Sequence, residues 1–114
     1  MDELIAKITA NAGIEPAVAR KAVAIVLGFL SRAGPPGQVQ AVIDKLPGAR
    51  ELAAEAGGSS RDIMGVFNDL SNAGLGLGSI QQVTKELVVH ARATAGNEEV
   101  DAVIEAIPGL NQFV

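Results

Sequence analysis

The chain contains no cysteine, no tryptophan and no tyrosine. Without cysteine there is no thiol nucleophile, no thiolate zinc site and no disulfide staple. Nothing points to an oxidising compartment, and a cytoplasmic location is expected. Aromatic residues amount to 3%, namely Phe29, Phe67 and Phe113. They leave little material for stacking on bases or sugars. Basic runs are missing too. The 13 acidic and 9 basic residues are scattered and give a net charge of −4. Nucleic-acid binding needs a positive footprint to neutralise phosphates, so it is not expected.

Long apolar runs are also absent. The longest is AVAIVLGFL, Ala22 to Leu30, set between Arg20-Lys21 and Ser31-Arg32. A membrane span needs about 20 apolar residues, so this stretch is expected to be a buried core helix. The opening MDELIAKITANAG is acidic first, with polar residues every third or fourth place. That is unlike a secretory leader, and none is expected.

What is present is helical signal. The 114 residues suit one domain, which at this length buries roughly two-thirds of its unfolded surface. Apolar residues make up 48%, so Ala, Val, Ile and Leu must supply the core. Leu4, Ile5, Ile8 and Ala12 mark one face of a first helix, which Gly13 ends. Glu15 and Pro16 open a second, central helix running to about Arg32. AGPPG, Ala33 to Gly37, breaks it. Val39, Val42, Ile43 and Leu46 form the stripe of a third helix, stopped by Pro47-Gly48.

ARELAAEA, Ala49 to Ala56, predicts a short fourth helix, and GGSS, Gly57 to Ser60, has a linker's composition. Ser59 with Asp62 is a weak capping signal for a fifth helix, which carries Ile63, Met64, Val66, Phe67 and Leu70. It ends in NAGLGLG, and Ser79 is the expected cap of a sixth helix burying Ile80, Val83, Leu87, Ala91 and Thr94. Asn97 is expected to cap a seventh, with Glu98 and Glu99 in its first turn and Val100, Val103, Ile104 and Ile107 as its stripe. Pro108-Gly109 stops it. No stretch alternates with period two, so no strand is expected.

The chain repeats itself at one offset. AVIDKLPG from Ala41 reappears as AVIEAIPG from Ala102, sixty-one positions on. The same shift carries Asn11-Ala12-Gly13 onto Asn72-Ala73-Gly74, without a gap. Two separated anchors at one offset imply a tandem duplication. The expected fold is all-α: one domain over 1–114, a compact bundle of six to seven helices. It is built from two tandem three-helix repeats with pseudo-two-fold symmetry. The repeats cover about 1–48 and 62–109, with a connector at 49–61 and an apolar tail at 110–114.

VLGFLSRAGPPGQVQAVIDKLPG, Val26 to Gly48, resembles the helical hairpin of small all-helical bacterial proteins that form domain families of unknown function. In those families a Leu-rich helix, a Pro-bearing break and a helix ending in Leu-Pro recur twice per chain. The likeness covers most of this chain, although TAGNEE stands where the second unit should carry its Pro break. It implies a bacterial source and a fold, and it brings no site residues.

Constellations for chemistry are sparse. His90 is the only histidine, with Glu86 four residues before it. Carboxylate-bridged iron sites use Glu-x-x-His at i, i+3 in more than one copy, so a boundary histidine paired with Glu86 is expected and no metal. GLGLGS, Gly74 to Ser79, follows a helix where a dinucleotide fingerprint needs a strand; it reads as a hinge or a close helix crossing. Ser59, Ser60, Ser71 and Ser79 lack a His or Lys at motif spacing. Glu98, Glu99 and Asp101 suit a solvated helix start. No catalytic residue and no cofactor is expected.

Two functional readings remain. The first is a non-catalytic protein–protein interaction or self-association module, with a homo-oligomer or another protein as partner. Val89, opposite the buried stripe of its helix, and the tail residues Leu110, Phe113 and Val114 are the interaction candidates. The second is a carrier of an apolar small molecule or lipid in a pocket between the repeats. Met64, Phe67, Leu75 and Leu77, flanking the Gly-rich hinge, are its candidates.

Overall fold

A computed structural model describes residues 2–33, 36–46, 48–55 and 63–106 of the chain. Among them are seven helices and no strand. They are α1 (Asp2–Ala12), α2 (Pro16–Ala33), α3 (Pro36–Lys45), α4 (Ala49–Glu55), α5 (Ile63–Asn72), α6 (Leu77–Ala95) and α7 (Asn97–Ala106). The radius of gyration is 12.4 Å, close to the ~13 Å of a compact domain of this length.

The elements form where periodicity placed them. Leu4, Ile5 and Ile8 of α1 are buried, as are Val39, Val42 and Ile43 of α3 and Val100, Val103 and Ile104 of α7. Each such side chain contributes roughly 1.5–3 kcal/mol through its removal from water. Helix α2 is buried without interruption from Ala22 to Phe29. An 18-residue helix can be apolar all round only if others surround it. Helices α1, α3, α4, α5 and α6 do so, and α4 packs on it most extensively. Helix α1 lies more on α6 than on α2, and α5 lies more on α2 than on α6.

Helix ends depart from expectation in small, explicable ways. Helix α6 begins at Leu77, not after Ser79, because the Gly76 carbonyl already accepts the Ile80 N–H at 2.9 Å. Ser79 therefore sits inside the first turn and Gly76 is the N-cap, with no side-chain cap bond. At the other end Thr94 is exposed and Ala95 buried. The stripe steps by four through Val83, Leu87, Ala91 and Ala95, which keeps to one side of a helix with 3.6 residues per turn. Asn97 is the first residue of α7, and the Gly96 carbonyl takes the opening bond from Val100 N–H at 3.3 Å.

The turn after α5 decides the fate of one candidate residue. Gly74 has φ +103, a conformation glycine adopts without a Cβ penalty. Leu75 N–H donates to Leu70 O at 3.2 Å and Gly74 N–H to Ser71 O at 3.0 Å. This bond pair is the Schellman helix end, in which the residue after the glycine folds back on the helix. Leu75 is accordingly 4% exposed and part of the core. Gly13, with φ +68, closes α1 by a single bond to Thr9 O at 3.1 Å.

Candidate functional site

The two inner stripes of α3 and α7 face each other, and the long helices α2 and α6 close the sides. Between them lies an apolar cavity of about 40 Å³. Valine, leucine, isoleucine and alanine line it, together with Thr84. Thr84 is buried, but its hydroxyl donates to Ile80 O at 2.9 Å within its own helix. The lining therefore offers no spare donor, and one hydroxyl oxygen is fewer than the two to four partners that hold a buried water, so the cavity is expected to stay dry. Its volume is well under the ~150 Å³ that accommodates benzene in a known apolar cavity. It has room for a group of very few heavy atoms, and none for an acyl chain.

Along the outside of the same helix pair runs an open groove lined by Gly37, Gln38 and Ala41 of α3 and by Glu98, Glu99 and Ala102 of α7. Lys45 Nζ reaches Glu99 Oε1 at 2.6 Å across the pair, while Glu99 Oε2 is buried without a partner. Arg92 Nη2 meets Asp101 Oδ1 at 2.6 Å. Glu99 and Asp101 are thus tied to cations instead of being freely solvated; Glu98 is exposed. Neither ion pair is fully buried, so each is worth about 1 kcal/mol or less.

The expected pairing of His90 with Glu86 is replaced by another. Glu86 Oε1 accepts from Asn11 Nδ2 at 3.1 Å and from Gln82 Nε2 at 3.0 Å, which ties α6 to α1. His90 is half-buried on the same side. Its pKa is lowered below 6.5, first by burial and then by the positive charges of the N-terminal amino group and Lys7, with Glu3 opposing. Among the described residues no group of three or more His, Asp or Glu could hold a metal ion. No helix among them is long and apolar enough to cross a membrane.

Of the carrier candidates, Leu75 is in the core, Phe67 is half-buried against it, and Met64 and Leu77 are 75% and 56% exposed. None of the four lines the apolar cavity. The cavity is formed instead by the stripes of α3 and α7, which periodicity marks as core and which therefore carry no sequence signal of a site. Val89 is 55% exposed on α6, near exposed Lys85 and Gln81 on the same face. Leu110, Phe113 and Val114 lie outside the described residues, as do Ser59, Ser60, Asp62, Ile107 and Pro108. No protein-family model, no curated protein and no solved structure matches the chain.

Proposed function

We propose that the chain is a non-catalytic helical binding module, made of two three-helix repeats about a pseudo-two-fold axis, that self-associates through the outer face of α6. The repeat reading is supported by what lines the cavity. Val26, Leu27 and Leu30 of α2 face it with Leu87, Val88 and Ala91 of α6, each sixty-one positions on. Val39, Val42 and Ile43 of α3 stand against Val100, Val103 and Ile104 of α7 at the same offset. The outer groove pairs Gly37 with Glu98, Gln38 with Glu99 and Ala41 with Ala102. Residues at one offset gathered around one space are what a two-fold arrangement of two units would produce. The crossed packing of α1 on α6 and α5 on α2 supports it too.

One observation carries the binding face. Val89 is exposed at the position where the first unit has buried Gly28. A larger apolar residue has been placed where water reaches it, on a helix whose other apolar positions are mostly covered. Analytical ultracentrifugation over a wide concentration range tests the reading. The chain is expected to show a rising weight-average mass, and Val89→Asp to remain monomeric. A chain that is monomeric throughout, or a Val89→Asp chain that associates equally well, would overturn it.

The cavity favours a second reading, the carrier, in a restricted form whose cargo is a small apolar solute. Xenon should perturb the methyl resonances of Val42 and Val103 if the space is dry and reachable. Unchanged resonances would remove that reading.

A further inference from the structure

Fourteen residues line the apolar cavity, and all but two of them are buried. The two are Leu30, near the end of α2, and Val88 of α6, both half-buried. A side chain that borders the cavity and also meets solvent is a wall one residue thick. At the other wall positions, reaching the cavity means parting packed helices. Parting α3 from α7 would in addition break the Lys45–Glu99 pair, and parting α6 from α7 the Arg92–Asp101 pair.

The wall surface is carbon throughout, and Thr84, the one polar residue in it, turns its hydroxyl to Ile80 O. A ligand with a hydroxyl or an amide would give up its bonds to water and regain none here, which is unfavourable. One water-sized atom needs about 10–15 Å³ of such space, so the 40 Å³ cavity holds roughly three heavy atoms.

We propose that the cavity takes a nonpolar solute of about three heavy atoms or fewer, which enters between α2 and α6 past the side chains of Leu30 and Val88. This rests on the carrier reading and adds to it a size limit, the rejection of polar groups and a route. Both side chains have solvent on one side to swing into. Rotamer changes of solvent-facing side chains are fast, so entry needs no helix to move.

The test titrates xenon, ethane, ethanol and hexane into the full chain with its methyl groups labelled, and reads the exchange rate of bound xenon by saturation transfer. Xenon and ethane should shift the Val42 and Val103 methyl resonances saturably; ethanol and hexane should not. Val88→Ala thins the entrance, and Val100→Ala removes the same atoms from a buried part of the wall. Because rates depend exponentially on the barrier, xenon exchange should be at least about tenfold faster in Val88→Ala than in Val100→Ala, and Leu30→Ala should behave like Val88→Ala. No saturable shift with xenon removes the carrier reading and this inference with it. Saturable shifts with equal exchange rates in the three variants keep the carrier reading and overturn the entrance. Hexane or ethanol shifting the same methyls as strongly as ethane overturns the ligand class.

Discussion

Helices α2 and α6 are nearly equal in length, 18 and 19 residues, and they pack against each other. Yet α2 is buried around its circumference from Ala22 to Phe29, while α6 buries one side and leaves Gln81, Lys85 and Val89 open. The difference follows from the company each keeps. Helix α4 packs on α2 more extensively than any other helix does. A helix that must be enclosed needs apolar or small residues on every side. A helix with one open side can carry charges there.

The sharpest way to break this comparison is to make the same change on both helices. Phe29 is 1% exposed, and His90, sixty-one positions on, is half-buried. Phe29→Ala should cost about 3–5 kcal/mol in urea unfolding, and His90→Ala less than about 0.5 kcal/mol. Equal losses would show that the two positions are equally enclosed. The next largest effect falls on α4. Leu52→Ala should cost about 2–5 kcal/mol, and hydrogen exchange should quicken along α2 more than along α6. Gly28→Val gives α2 the residue that α6 carries sixty-one positions on. Gly28 is buried, so overpacking should cost about 1–3 kcal/mol in urea unfolding; a neutral result would mean that the space beside it can give way.

The smallest effect concerns pH. His90 has a folded pKa below 6.5, so between that value and 6.5 the unfolded chain binds more protons than the folded one. Stability from this group is complete above pH 6.5 and falls as pH drops toward the folded pKa. Thermal unfolding at pH 7.5 and 5 should show a decline that His90→Asn reduces. An unchanged decline would assign it to the carboxylates.

Much of this architecture was legible in the residues. The stripes of α3 and α7 have helical spacing, and Pro16, Gly13 and Gly74 mark helix boundaries because of what their backbones allow. The all-apolar stretch of α2 announces a central helix. The site was far less legible. Leu75 looks like a ligand-pocket residue beside a hinge, but the Schellman bonds turn it into the core. The cavity is invisible because its lining is ordinary core, and only the facing of two stripes leaves space between them. Ser79 looks like a cap because it suits one, but Gly76 already has the backbone geometry to start the helix.

What the residues determined alone was local: where helices start and stop, which side of each is apolar, and that one pattern is spelled twice. Those properties depend on spacings of three and four residues and on backbones that turn or cannot. The tertiary structure decided which apolar side meets which, and whether a helix is enclosed or left open on one side. Burial belongs to a residue and its neighbours together. Gly28 and Val89 stand sixty-one positions apart on two long helices, and one is buried while the other is exposed.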